Sequence, residues 1–254
     1  MCELLGINTL KPVDPAPYLK VFFSHSVRHP HGWGIMRNTG GKYTVFKESV
    51  CANESTVVED IIKSTEPQTN MLAHIRLATV GGMRNENSHP FAARDISGRK
   101  WTFIHNGTIY SGTELMNYIS RQKGDTDSER VFLYMLDEIN SAIASGGTLD
   151  EKARFDIVDK IVCALSPRNK LNLMIYDEEI LYVHKNMKNT LSFKKLPEGY
   201  VFSTTPLDTG GWQELPLTRL LAYKDGKLMR EGTDHGHVFV PTLEYISAMA
   251  AMNI

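Results

Sequence analysis

Two hydrophobic periods alternate along this chain, and the switches between them mark its elements. Residues 4–8 form an apolar run of strand length, followed by a proline-marked loop over 11–17. Leu19, Phe22, Phe23 and Ser26 then recur at helical spacing up to the His29-Pro30 break. Residues 33–36 and 43–47 read as a hairpin around Thr39-Gly40-Gly41, and Asn53 is placed to cap a helix whose buried stripe is Val57, Val58, Ile61 and Ile62. A strand at 71–75, a polar glycine-containing loop over 81–90 and a strand at 101–104 ending in His105-Asn106-Gly107 follow. Ser111 with Glu114, and Thr126 with Glu129, have capping-box spacing ahead of apolar stripes, so two helices are expected in succession. Phe155, Val158, Ile161, Val162 and Leu165 give another, closed by Ser166-Pro167. The last third changes to strands: a hairpin of 171–176 and 180–185 around Asp177-Glu178-Glu179, then 200–203, 217–223 and 227–230. No repeat, low-complexity tract or linker interrupts this order, so one domain over 1–254 is expected. Its class is α+β, with two facing, mostly antiparallel sheets and helices covering their outer faces.

Composition narrows the function classes. With 254 residues and 42% hydrophobic positions, the chain can bury a large core. Lys plus Arg number 28 against 29 Asp plus Glu, which gives no electrostatic reason to expect nucleic acid or an anionic membrane as partner. Cysteines stand only at 2, 51 and 163, too few and too scattered for a disulfide framework or a zinc cluster, so a reducing, cytoplasmic setting is expected. There is no basic segment before an apolar run at the start, and no apolar stretch near the roughly 18 residues of a membrane span. A doubly wound nucleotide-binding sheet is disfavoured: no strand leads into a glycine-rich phosphate loop, and Gly32-Trp33-Gly34 puts an indole where such a loop needs bare backbone. No cofactor is called for, and His25, His29 and His31 cluster without the acid or cysteine that a metal site would add. His235 and His237 beside Asp234 read as a polar turn.

The candidate chemistry begins at Cys2. Removal of one initiator methionine would put a thiol and a free α-amine on the same residue, a nucleophile with its own base, at the head of a strand. Arg76 closes the His74-Ile75-Arg76 strand end, where its guanidinium can clamp a carboxylate bidentately or pair with an internal acid. Asn106 offers a side-chain N–H and Gly107 a closely approachable backbone N–H, the two donors an oxyanion requires, although Asn-Gly also simply makes turns. Asp125 and Asp127 flank a helix start, where each could cap the helix or hold a substrate ammonium.

Taken in order, Met1-Cys2-Glu3-Leu4-Leu5-Gly6, His31-Gly32-Trp33-Gly34-Ile35, His74-Ile75-Arg76-Leu77-Ala78-Thr79, Asn87-Ser88-His89-Pro90-Phe91, His105-Asn106-Gly107 and Asp125-Thr126-Asp127-Ser128-Glu129 resemble the class II glutamine amidotransferase domain, an N-terminal-nucleophile hydrolase. The closer likeness is to small stand-alone members without a synthase domain, and Ser203-Thr204-Thr205-Pro206-Leu207 with Trp212 extends it. The resemblance implies a four-layer αββα sandwich. It further implies Cys2 as nucleophile, Arg76 on the glutamine α-carboxylate, Asp127 on its α-ammonium, and Asn106 with Gly107 on the oxyanion. Thr79, His89 and His105 match substrate-pocket positions, and a γ-glutamyl thioester on Cys2 would release glutamate and ammonia or an amine.

Two departures bear on the product. Val80 stands where the synthase-linked enzymes usually carry histidine, and nothing after the amidase-like region is expected to consume ammonia. The substrate is therefore glutamine or another γ-glutamyl amide, with hydrolysis as the end point or a separate synthase as the ammonia-accepting partner. Oligomeric state is left open. The alternative is a catalytically inert glutamine-binding or scaffold protein for such a synthase, with Cys2 silent behind a retained Met1.

Overall fold

The computed structural model describes residues 1–39, 41–243 and 245–247. In chain order the first half supplies β1 (Glu3–Val13), α1 (Ala16–Ser24), β2 (Trp33–Thr39), β3 (Lys42–Glu48), α2 (Thr56–Ser64), β4 (Gln68–Ile75), β5 (Phe91–Arg94) and β6 (Lys100–Thr108). The second half supplies α3 (Asp127–Gly146), α4 (Glu151–Leu165), β7 (Lys170–Tyr176), β8 (Leu181–His184), β9 (Ser192–Leu196), β10 (Gly199–Ser203), β11 (Trp212–Glu214), β12 (Leu221–Lys224) and β13 (Lys227–Glu231). A seven-stranded sheet runs β11-β9-β10-β1-β4-β2-β3 and a six-stranded sheet runs β13-β12-β8-β7-β6-β5. The strand pairs are antiparallel throughout the described residues.

Strand alternation explains why the central strands are apolar without interruption. In β1, Leu4 joins Leu72, Met36, Ile104, Met174 and Phe202 in the layer between the sheets, whereas Leu5 and Ile7 face α1 and α2 with Met71, Ala73, Phe22 and Ile61. The other sheet divides likewise: Phe103, Leu173 and Ile175 pack under α3 and α4 with Phe132, Ile139, Val158 and Val162. Both faces of each sheet are thus covered, and β1 lies at the centre of its sheet with a helix layer on one side and the second sheet on the other. Gly6 faces that second sheet, and a Cβ there would meet Met174 Sδ at 2.6 Å. No described helix is long and apolar enough to cross a membrane.

Several boundaries fall elsewhere than the pattern predicts. The loop expected at 11–17 begins as strand: β1 runs on to Val13, with its register to β4 irregular between Asn8 and Val13. Pro12, which has no N–H to donate, sits in that interrupted stretch. The cap of α2 is Ser55, whose hydroxyl accepts from Val58 N at 3.3 Å, while Asn53 lies in a preceding 3-10 turn. Ser111 and Glu114 introduce only a 3-10 segment over Thr113–Tyr118, because Gly112 at φ 150° starts it without a side-chain cap and Met116 and Ile119 remain exposed. Thr126 does cap α3, accepting from Glu129 N at 3.2 Å. Glu129 reaches past the cap to accept from the Lys123 and Gly124 N–H groups at 2.8 Å each. The hairpin turn expected at 39–41 includes residue 40, outside the described residues.

Candidate active site

Antiparallel register brings the first motif pair together. Glu3 pairs with Ile75 across β1 and β4, so Cys2 and Arg76 leave the same end of the ladder side by side. Trp33 pairs with Ile75 on the other side, and Arg76 N donates to Gly32 O at 2.8 Å while His31 N donates to Arg76 O at 3.0 Å. The Cys2 thiol, partly exposed, points to Leu77 O at 3.5 Å. His31 Nδ1 accepts from Ala78 N at 2.9 Å, which fixes the backbone that carries Leu77. Below the thiol, the buried Glu3 carboxylate holds His25 Nδ1 at 2.9 Å and Thr205 Oγ1 at 3.1 Å. Leu4 N donates to Thr204 Oγ1 at 2.9 Å, so the late Thr204-Thr205 pair pins the start of β1.

The internal ion pair considered for Arg76 is not formed among the described residues. Its guanidinium, 3% exposed at residue level, is instead accepted by backbone carbonyls: Val80 O at 2.8 Å, Gly82 O at 3.0 Å, Gly81 O at 3.1 Å and His31 O at 3.5 Å. Burial lowers its pKa, opposed by the charges of Cys2, Asp125 and Asp127. Thr79 lies exposed in the loop these bonds organise.

The second sheet contributes the opposing wall. Asn106 is 1% exposed; its Oδ1 accepts from Lys170 Nζ at 2.9 Å, and its Nδ2 is buried with no hydrogen-bond partner among the described residues. At Gly107 any Cβ would collide with Lys170 O and the His105 ring, so only glycine fits. Asp127, the first residue of α3, accepts from Ile109 N at 2.7 Å and Ser128 N at 2.8 Å, while Asp125 holds Arg84 Nη2 at 3.3 Å and Asn87 Nδ2. A two-oxygen carboxylate retains acceptor capacity after two such bonds. Of the two aspartates left open by the sequence, Asp127 is the buried one, fixed against β6.

His105 sits behind this wall, bridging Ser128 Oγ at 3.0 Å and Lys170 O at 3.3 Å. His89 is buried against His74 with ring centroids 4.2 Å apart, and neither of its nitrogens has a partner. Of the three early histidines, His25 and His29 both lie against Glu3, at 2.9 Å and 4.0 Å, with His29 Nδ1 also bonded to His25 O at 2.8 Å, while His31 accepts from Ala78 N.

Burial depresses the pKa of His74 to about 3, of His105 to about 4 and of His184 to about 3. Folding therefore keeps these rings neutral, and their stability contribution is complete above the unfolded value near 6.5 and lost as pH falls toward 4 and then 3. At pH 5 the loss is up to about 2 kcal/mol per ring. Urea unfolding midpoints should drop steadily from pH 7 to pH 4.5; a level midpoint across that window would contradict the buried neutral rings.

Lys170 is the residue the sequence motifs do not reveal. It is 1% exposed, with Nζ 2.9 Å from both Asn106 Oδ1 and Met1 Sδ. The Tyr245 hydroxyl also reaches Met1 Sδ, at 2.7 Å, and Phe239 from the same late segment stacks on Tyr110. Burial pulls the N-terminal ammonium below its ordinary value and the Lys170 charge adds to the effect.

Two facing antiparallel sheets between helix layers, with a cysteine heading the central strand, define the αββα sandwich of the N-terminal-nucleophile hydrolases. Sequence comparison narrows the class. The chain belongs to the class II glutamine amidotransferases, whose family profile matches residues 1–200. An uncharacterised protein of Methanocaldococcus jannaschii is 30% identical over 259 residues, covering 90% of this chain and 71% of that one. The predicted glutamine amidotransferase from Pseudomonas aeruginosa superposes with a TM-score of 0.61 at 20% identity, covering 90% of this chain and all, 100%, of that one. The glutamine phosphoribosylpyrophosphate amidotransferase from B. subtilis superposes with a TM-score of 0.63 at 17% identity, over 91% of this chain and 48% of that one. The structural likenesses carry the fold. Membership carries the activity: hydrolysis of the side-chain amide of glutamine, or of a related γ-glutamyl amide, through an N-terminal cysteine nucleophile.

Proposed function

We propose that Cys2, trimmed of Met1, attacks the γ-amide carbon of glutamine or a γ-glutamyl amide bound between the β1–β4 strand end and the β6–α3 wall. The observation that carries this reading is Asn106 Nδ2, a buried amide donor with no partner among the described residues, on the wall opposite the thiol's strand. A buried donor left unmade costs about 1–3 kcal/mol, so its retention is explained by an acceptor that arrives with substrate. The sulfur gives its proton to the α-amine and forms the C–S bond. The tetrahedral oxyanion is held by Asn106 Nδ2 and the Gly107 N–H, and collapse expels the amine, which takes the proton from the α-ammonium. Water, deprotonated by the same α-amine, then splits the thioester to give a γ-carboxylate and restore the thiol. A free α-amine has an ordinary pKa near about 7.7, close enough to neutrality to serve in both transfers.

Arg76 holds the substrate α-carboxylate and Asp127 its α-ammonium. Thr79 lies in the loop that Arg76 organises, and His89 and His105 shape the pocket from behind. The whole chain acts as one amidase domain, and a cytoplasmic synthase that receives ammonia is the partner to seek if the released amine is ammonia itself. Glutamate release from glutamine and from a panel of γ-glutamyl amides, with intact mass confirming methionine removal, tests the activity and identifies the leaving amine. Arg76→Lys should raise KM tenfold or more, at about 1.4 kcal/mol per decade, with a smaller effect on kcat, because lysine lacks the planar fork. An unchanged KM would remove Arg76 from the carboxylate.

A further inference from the structure

Lys170 begins β7 and is buried, a rare position for an ammonium group. No carboxylate lies within ion-pair distance of it among the described residues; its close partners are Asn106 Oδ1 and Met1 Sδ. An ammonium can only donate. The side-chain amide of Asn106 could otherwise sit either way round, but beside Lys170 it must turn its oxygen to Nζ, which sends Nδ2 away from the lysine. Nδ2 then ends buried and without a partner among the described residues, as an oxyanion donor must before substrate arrives. The other charge that acts on Lys170 belongs to Cys2, which opposes the effect of burial. Asn106 belongs to the second sheet and Met1 precedes β1 of the first, and Lys170 donates to both.

We propose that Lys170 is the positioning residue of this site, turning Asn106 so that its N–H2 faces the reacting carbonyl. This rests on the hydrolytic reading of the site given above. Removal of Met1 takes away the thioether that now accepts from the ammonium, leaving Asn106 Oδ1 as its close acceptor among the described residues. The proton inventory of the reaction is unchanged, because Lys170 stays protonated throughout.

The test uses the full chain with methionine removal verified by mass. Lys170→Met should lower kcat by roughly 10²–10³-fold, the loss of one oxyanion donor, with KM within about threefold. Lys170→Gln, which can still donate to Asn106 Oδ1 but carries no charge, should recover about tenfold of that loss. In an Asn106→Ala background, Lys170→Met should cost no more than about twofold further, because the group it orients is gone. Independent, multiplying losses in the double variant, or a Lys170→Met kcat within threefold of the native value, would each overturn the proposal. If Lys170→Met does not fold, Lys170→Gln alone carries the kcat and double-variant comparisons. Turnover by native enzyme with an unchanged kcat in the Lys170 variants marks a failure of Lys170, whereas a failure of the hydrolytic reading would show as native enzyme without turnover on any γ-glutamyl amide.

Discussion

Cys2→Ala should abolish hydrolysis of every γ-glutamyl substrate, with kcat falling by about 10⁴-fold or more, because the variant loses the atom that forms the covalent bond while keeping the α-amine. The fold should be unaffected. Cys2 precedes the β1 ladder, its thiol is partly exposed, and its one polar contact is the 3.5 Å approach to Leu77 O, so an alanine there removes little packing. The variant should therefore bind glutamine with an affinity close to the native Kd in a calorimetric titration, since Arg76 and Asp127 are untouched. Quench-and-mass experiments on native enzyme should trap a γ-glutamyl adduct on the peptide containing residue 2. Full turnover by the alanine variant would exclude covalent catalysis at this position, and loss of turnover together with loss of binding would point to a structural role.

Asn106→Ala is the second large effect. Removing one preorganised oxyanion donor lowers kcat by roughly 10²–10³-fold in comparable sites, with KM nearly constant, because the donor acts on charge that develops only after attack. The side chain is buried and its oxygen holds Lys170, so alanine also strands a buried ammonium. Some loss of thermal stability should accompany the kinetic loss. Asn106→Asp separates the two effects: its carboxylate would keep the bond to Lys170 and restore stability, yet present an acceptor where a donor is required, so its kcat should remain as low as that of the alanine variant. Recovery of turnover by the aspartate would show that the donor is not what matters.

The parts of the site legible in the sequence are those whose residues share one strand end or one helix start. His74-Ile75-Arg76 and Cys2 meet because β1 and β4 are neighbours with register Glu3 to Ile75, and both strands announced themselves as apolar runs. Thr126 was readable because its cap bond is local, to Glu129 N. Lys170 was not, because its bond to Asn106 spans 64 positions and no local pattern distinguishes a lysine that opens a buried strand from one in solvent. Asn53 and Ser55 are both good capping residues; the choice was made by Ser26 Oγ, which accepts Asn53 N at 3.1 Å and holds it in the preceding turn. The strands β5, β9 and β11 escaped the pattern because they are short and lie at or near sheet edges, where partly exposed side chains weaken the alternation. Ser111 and Glu114 show the opposite error, a spacing that fits a cap with no apolar face behind it long enough to sustain a helix.

The carbonyls of Val80, Gly81 and Gly82 immobilise the Arg76 side chain before any ligand arrives. A free arginine loses up to about 2 kcal/mol of rotamer freedom when it is fixed. Here that entropy is surrendered as the protein folds, and it no longer weighs on capture of an amino acid. Affinity for small zwitterions is therefore set partly by the backbone course of a glycine-containing loop, so drift in that loop among descendants of this chain would retune recognition while every ligand-touching side chain stayed the same.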